Sequence, residues 1–385
     1  MKFLHTSDWH LGKTLCEKSL LEDQKKFLDQ ILMELKNDYQ ALIVSGDIYD
    51  RSIPPVEAVN LLSDFLNSIK EKFPHLHVFI NSGNHDSSER LGFAKEILEA
   101  QNIHIASDCK NITVPVTVGN CDIYQLPYLV PGIVKKQDET LFDSPLKTQQ
   151  ELFDRAKELI FESRKKSGST NKIILNCHVL AFGSIRSESE RISVGDTDSI
   201  STDSFGGFDY VAMGHIHSFA KVTENAFYPG SPLSYSFGES NDSKFMIKVE
   251  FPENGEFTAE KIPFKPLHQV VKLTGFFVDF ENKFDEYKND YLSLECTDIN
   301  LIINPVAKLQ KKFPNLLMFS YKDKFGGIQN NSNSMEQRRK ALKQSKSQRE
   351  VFKSFLREIY DEDTLEKPVV IKEMDLFEKL AGEAQ

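Results

Sequence analysis

Short apolar runs and one-sided amphipathic stretches take turns along the first half of the chain. Lys2-Phe-Leu-His, Ala41-Leu-Ile-Val and His77-Val-Phe-Ile, and later Lys172-Ile-Ile-Leu and Tyr210-Val-Ala-Met, are β-branched and aromatic runs punctuated by Gly and Asp, the pattern of buried strands. Between them Phe27, Ile31, Leu32 and Leu35, and then Val59, Leu62, Phe65, Leu66 and Ile69 after Pro54-Pro55, recur at the i, i+3, i+4 spacing of a helix that buries one face. This alternation predicts an α/β fold whose strands bring their carboxyl ends to one edge, where ligands bind in open α/β sheets. From about Lys110 the pattern turns β-rich, and the Ser-, Gly- and charge-rich stretch from Gly183 to Phe208 reads as loop. Strand-like pieces resume at Tyr228-Pro-Gly-Ser-Pro-Leu-Ser-Tyr-Ser-Phe and at Phe245 to Phe251.

Near Pro266 the texture changes again. Val270 to Leu273, Lys283 to Asn289, Tyr291 to Glu295, Asn304 to Phe313 and Leu316 to Ser320 read as strand, short helix, strand, helix, strand, a small α+β accessory domain. The organisation expected is a main domain over 1–265, the accessory domain over 266–325, a flexible basic linker over 326–345 and C-terminal helices over 346–385. The linker is rich in Gly, Asn and Ser from Gly326 to Ser334. The basic run Arg338, Arg339, Lys340, Lys343, Lys346, Arg349 that follows reads as a solvated helix face ahead of a DNA contact. In the tail, Val351, Phe352, Phe355, Leu356, Ile359 and Tyr360 form one apolar stripe, and Met374, Phe377 and Leu380 a second. So short a tail cannot bury those aromatics alone; it either folds back on the main body or enters a partner groove as an amphipathic helix.

Composition narrows the function classes. With 385 residues, 40% hydrophobic and 27% charged, the chain suits a soluble protein with a sizeable core, and no apolar run approaches the roughly 20 residues of a membrane span, so a cytoplasmic protein is expected. The 5 cysteines, Cys16, Cys109, Cys121, Cys177 and Cys296, are scattered without a C-x-x-C pair, against a disulfide framework or structural zinc knuckle. A formal net charge of −10 argues against a broad basic face for nucleic acid, although bound divalent cations would invert the potential locally.

The candidate chemistry sits directly after the strand-like runs. Ser7-Asp-Trp-His10, Gly46-Asp-Ile-Tyr-Asp50, Gly83-Asn-His-Asp86, Cys177-His178 and Gly214-His-Ile-His217 are all rich in metal-ligand side chains. A lone Asp-x-His or Gly-Asp is an ordinary turn; the set, in this order and after strands, suggests a two-metal phosphoesterase. Residues two apart in extended backbone point to one side, which is the expected reason for the D-x-H and H-x-H spacings. Asp47 is the natural bridge, with Asp8, His10 and one of the last two histidines on one metal, and Asn84, His178 and the other on the second. Carboxylate, amide and imidazole without thiolate favour Mn or Fe, with Zn or Mg open. His85 is the candidate for protonating the leaving oxygen, Asp50 for orienting His85, and Lys13, Arg51 and Arg90 for holding substrate phosphates. His5, His75, His77, His104 and His268 match no motif and are assigned to surface or core.

These motifs resemble the calcineurin-like metallophosphoesterase superfamily. His5-Thr-Ser-Asp-Trp-His-Leu-Gly12, Ser45-Gly-Asp-Ile-Tyr-Asp-Arg-Ser-Ile-Pro-Pro55, Ser82-Gly-Asn-His-Asp-Ser87, the Gly214–His217 motif and Pro229 to Phe237 are similar, more finely, to the SbcD family of bacterial nuclease subunits, along essentially the whole chain. The resemblance implies two mixed β-sheets flanked by helices in a sandwich, a small α+β capping domain and a C-terminal helical tail. It implies Asp8, His10, Asp47 and His217 on one metal, Asp47, Asn84, His178 and His215 on the other, and His85 as the catalytic histidine. It further implies a Mn-dependent 3′–5′ exonuclease on duplex DNA and an endonuclease on single strands and hairpins. The partner implied is an SbcC-type SMC-like ATPase bound through the C-terminal helices of a nucleoid-associated homodimer. Ser187 to Ile200 departs from the family loop in having Gly195-Asp196 where two glycines are expected. Competing expectations are a phosphatase or cyclic-nucleotide phosphodiesterase acting on small substrates, and a non-catalytic scaffold.

Overall fold

The computed structural model describes residues 1–138, 141–142, 145–183, 199–253 and 255–322. Its centre is a pair of six-stranded sheets. In the first, the strands Lys2–Thr6, Ala41–Val44, His77–Asn81 and Ile103–Ala106 run parallel, and Phe245–Glu250 and Thr258–Pro263 add an antiparallel edge beside Lys2–Thr6. In the second, Cys121–Leu126, Lys172–His178, Tyr210–Gly214 and Ala226–Tyr228 run parallel, closed by antiparallel Val116–Val118 and Ala220–Lys221.

Period-2 alternation explains the layering. Phe3, Ala41, Ile43 and Phe79 face Ile123, Ile174, Tyr210 and Ala212 in a core between the sheets. Their neighbours Leu4, Leu42, Val44, Val78 and Ile80 face outward onto the helices Leu21–Glu34 and Val56–Lys72 through Phe27, Ile31, Leu62, Phe65 and Ile69. Strands covered on both faces read as continuous apolar runs, as these do. Full burial of a side chain such as Ile69 contributes about 1.5–3 kcal/mol.

On the far side the helix Gln149–Ser167 covers the second sheet with Leu152, Phe153, Ala156, Leu159 and Ile160. This helix corrects the expectation of β-rich structure after Lys110. Its apolar spacing is helical, the Thr148 hydroxyl accepts the Glu151 N–H at its start, and Gly168 closes it with φ +68°.

The strands Val270–Gly275, Tyr291–Cys296 and Leu316–Tyr321 form a three-stranded sheet in that order, close to the expected spans. Its first helix is Phe277–Asn282, followed by a single turn at Asp285–Tyr287, and not Lys283 to Asn289. The Asp298 carboxylate accepts the Phe277 N–H at the helix start, and Phe277 and Phe280 are buried one turn apart, so packing selects the earlier register. The second helix is shorter than expected, Pro305–Leu309. One compact unit comprises Met1–Leu273, Val278–Leu294 and Asn304–Phe319; a second holds Thr274–Phe277 and Glu295–Ile303 with 320–322 among the described residues. Most of 266–325 thus groups with the main domain. The expected linker and C-terminal helices, and most of the Ser187 to Ile200 loop, lie outside the described residues. Among the described residues no helix is long and apolar enough to cross a membrane.

Buried polar groups join the two sheets just behind the edge where the motifs emerge. His5 meets the Tyr210 hydroxyl through Nδ1 at 3.0 Å and the Ser45 hydroxyl through Nε2 at 3.1 Å. Ser45 donates in turn to Asn176 Oδ1 at 2.7 Å, and Asn81 Nδ2 donates to the carbonyls of Leu126 and Asn176.

Candidate metal centre

The motif residues arrive together because parallel strands end together. The strand Lys2–Thr6 stops before Asp8, Ala41–Val44 before Asp47, His77–Asn81 before Asn84, and Tyr210–Gly214 before His215, while His178 is the last residue of its strand. The first two loops are laced side by side: Asp8 N–H donates to the Gly46 carbonyl at 3.1 Å and His10 N–H to that of Asp47 at 2.9 Å. Asp8, His10, Asp47 and His215 all take positive φ, at 54°, 44°, 50° and 115°. Such backbone costs of order 1–3 kcal/mol per residue and clusters at functional sites. It also replaces the extended-strand explanation of the D-x-H and H-x-H spacings: the side chains converge because the chain turns sharply after each strand. Gly46 and Gly83 permit the closeness, since a Cβ on either would collide with the imidazole of His178 or the carboxylate of Asp47.

Asp47 occupies the middle. Its Oδ2 lies 3.6 Å from His10 Nε2 and 3.5 Å from His178 Nε2, and its Oδ1 accepts the His85 N–H at 2.9 Å. On one side His10 Nε2 and His217 Nε2 stand 3.1 Å apart, with Asp8 in the same group. On the other, Asn84 Oδ1 is 3.0 Å from His178 Nε2 and 3.1 Å from His215 Nδ1. The His85 ring lies edge-on to His10, centroids 4.7 Å apart, and joins His10 and Asp47 in a further group of ligand-type atoms.

This donor set fits divalent cations. Ligand atoms about 2.1 Å from a shared ion stand roughly 3 Å from one another, the spacing seen here between imidazole nitrogens and the amide oxygen. Charge points the same way. Burial lifts the Asp8 pKa to about 7 against the pull of His178 and His217, leaving a carboxylate short of positive charge. Burial also raises Asp47, but His178, His10 and His85 outweigh it and hold that carboxyl well below its usual range. Burial lowers the His178 pKa while Asp47 raises it more, to about 9.

Three of the ring nitrogens turned away from the cluster, those of His178, His85 and His217, have partners that set the tautomers. His178 Nδ1 donates to the Ser45 carbonyl at 2.8 Å, His85 Nδ1 to the Asp50 carbonyl at 2.8 Å, and His217 Nδ1 faces Glu239 Oε1 at 3.4 Å. Asp50, the residue expected to orient His85, thus reaches it through its main-chain carbonyl and not its carboxylate. That carboxylate instead takes Lys13 Nζ at 2.7 Å. Of the cations expected to hold substrate phosphates, Lys13 is thus committed to Asp50 with its side chain only 14% exposed, Arg51 is 57% exposed beside the same carboxylate, and Arg90 is exposed on Ser88–Leu91.

Several supporting groups were not read from the sequence. Asp86 accepts the backbone N–H groups of Ile48, Tyr49 and Gly83 and so ties the second motif to the third; burial and the charge of Asp47 push its pKa to about 7. It ends the Gly83–Asp86 motif, which was a signal. Tyr235, whose ring packs edge-on against His10 and His217, lies in the Pro229 to Phe237 segment but is not a metal-ligand type, and the Ser45 carbonyl is a main-chain group that no side chain announces.

A family model of the calcineurin-like phosphoesterases matches residues 1–219. A protein of Staphylococcus saprophyticus, named as the SbcD component of the nuclease SbcCD, is 33% identical over 323 residues, 82% of this chain and 84% of the relative. One of the same name from Staphylococcus epidermidis is 34% identical over 329 residues, 83% and 85% of the two chains. The likeness thus runs past the phosphoesterase match into the segment that carries the three-stranded sheet. With the donor set gathered at one sheet edge and the match covering more than half of the sequence, the chain belongs to the calcineurin-like phosphoesterase family, in its SbcD branch, and is a metal-dependent phosphodiesterase.

Proposed function

We propose that the chain is the nuclease subunit of an SbcCD-type complex, hydrolysing DNA phosphodiesters with two divalent cations, Mn first among them. The observation that carries this reading is the position of Asp47 Oδ2 between two donor groups at 3.5 and 3.6 Å. Asp8, His10 and His217 complete one cation site and Asn84, His178 and His215 the other. A cation pair supplies the positive charge that acidifies an attacking water and neutralises the non-bridging oxygens of the phosphodiester. The chain's own residues hold that pair, exclude bulk water from one side and move the proton. A carbonyl only accepts, so His85 keeps its proton on Nδ1 against Asp50, and Nε2 is the end that exchanges a proton with the leaving oxygen. Arg51 and Arg90, both exposed, are the cations proposed to meet flanking phosphates.

The relatives' names support a nuclease that works with a second subunit, SbcC; DNA as substrate and an SMC-like ATPase as partner are what the family resemblance implies. By that reading the chain is a 3′–5′ exonuclease on duplex ends and an endonuclease on single strands and hairpins. It works as a homodimer at the nucleoid, with SbcC held by Val351, Phe352, Phe355, Leu356, Ile359 and Phe377. The division proposed remains 1–265, 266–325, 326–345 and 346–385, with most of the described part of 266–325 grouping with the first of these. A net charge of −10 fits a subunit whose partner supplies part of the DNA-binding surface.

The test is cleavage of end-labelled duplex and hairpin DNA by the purified chain with Mn, beside His85→Gln and a small chromogenic phosphodiester. Mn-dependent DNA cleavage that the substitution slows roughly 10²–10³-fold is expected. Cleavage of the small ester alone, also after the SbcC-type partner is added, would reject the reading.

A further inference from the structure

Glu239 belongs to none of the metal-ligand motifs, yet it is 1% exposed and ends on the ring of His217. It comes from the single turn Phe237–Glu239, at the end of an irregular segment that passes under the cluster. Its Oε1 faces His217 Nδ1 at 3.4 Å and accepts the Ser236 hydroxyl at 3.3 Å. Its Oε2 accepts Lys244 Nζ at 2.6 Å and the Tyr235 N–H at 3.3 Å. Lys244 is itself buried, and the same ammonium donates to the His217 carbonyl at 3.0 Å and to Ser231 Oγ at 3.2 Å. One buried ion pair therefore grips His217 at its ring and at its main chain.

Such a pair has no general advantage for folding, because two desolvated charges are often matched or bettered by well-packed apolar side chains. Its position is informative. A carboxylate can only accept at His217 Nδ1, so that nitrogen carries the proton and the lone pair of Nε2 faces His10 Nε2, 3.1 Å away. An anion behind an imidazole also makes the far nitrogen a stronger donor to a cation. The Lys244 ammonium balances the added negative charge within the protein.

We propose that Glu239, held by Lys244, is a positioning residue that locks the Nδ1–H tautomer of His217 and strengthens its Nε2 as a donor to the cation shared with Asp8 and His10. The inference rests on His217 as a metal ligand. Calorimetric titration of the full chain with Mn²⁺, and ¹⁵N spectra of selectively labelled histidine, separate the two ideas. Glu239→Gln keeps the shape and an acceptor but loses the charge; it is expected to bind one of two Mn²⁺ ions about 10–100-fold more weakly and to leave the other affinity unchanged. Glu239→Gln/Lys244→Met, which removes the stranded ammonium, should show the same weakening, whereas a merely structural pair would regain normal affinity. In the wild-type chain before Mn²⁺ is added, His217 should be protonated on Nδ1; protonation on Nε2 overturns the inference without any variant having to fold. Two wild-type ions bound equally well by a folded Glu239→Gln sink the positioning role alone. Failure of the wild-type chain to bind a pair of cations overturns the ligand assignment and this inference with it.

Discussion

The two sides of the metal centre are braced by different means. His178 is turned by a backbone carbonyl, that of Ser45, which directly follows the strand Ala41–Val44 of the first sheet, and His85 likewise by the carbonyl of Asp50. His217 is turned by a side chain, Glu239, which needs Lys244 beside it. A carbonyl brace survives substitution of the residue that carries it, provided the strand holds. A carboxylate brace adds charge and tuning, and a single substitution removes it. Rigidity on one side and adjustability on the other thus meet at Asp47, whose Oδ2 lies between His10 and His178.

The largest effect expected is where the two sides join. Asp47→Ala should lower Mn-dependent cleavage roughly 10⁴-fold or more and abolish binding of both ions, measured as metal content and single-turnover rate; retention of either ion would show that the sides are independent. His85→Gln should lower the rate roughly 10²–10³-fold with metal content intact, because the role proposed for it is proton transfer. Loss of an ion in that variant would move His85 into the ligand set.

The carbonyl brace is sharpened by Ser45→Ala. It removes the hydroxyl that bonds His5 and Asn176 but leaves the carbonyl, so Mn²⁺ affinity should stay within about threefold of wild type while urea unfolding shows a loss of about 1–3 kcal/mol for the buried polar groups left unmatched. A fall in affinity as large as that expected of Glu239→Gln would erase the contrast between the sides.

The last effect concerns pH. His5 lies behind the carbonyl-braced side, and burial lowers its pKa from 6.5 to about 3, partly offset by a hydrogen bond with the Met213 backbone. The unfolded chain takes up that proton near 6.5 and the folded chain does not until about 3, so this stability is present at neutral pH and is lost as pH falls between those values. The loss amounts to roughly a few kcal/mol across that window. Urea midpoints from pH 7 to 4 should fall more steeply for wild type than for His5→Gln; equal slopes would remove His5 from the account.

Much of the centre was readable because metal chemistry restricts residue types. Asp8, His10, Asp47, Asn84, His178, His215 and His217 stand at the ends of apolar runs, and the structure gathers all of them at one edge together with His85. The helix Gln149–Ser167 was readable too, from Thr148, Gly168 and its apolar spacing, but the strand-like residues around it outweighed those marks. The first helix beyond Phe276 was not, because Asp298, a residue distant in sequence, decides where it begins.

The order and kind of the motifs, and the two-faced apolar strands that carry them, are properties of the sequence: burial period and ligand chemistry are local and written in side-chain identity. Which nitrogen each imidazole presents was decided only by tertiary structure. The partners that settle it are the carbonyls of Ser45 and Asp50, which every residue type possesses, and the carboxylate of Glu239, which no motif links to His217. Main-chain groups carry no sequence signature, and a buried ion pair exists only once folding has removed water from both charges.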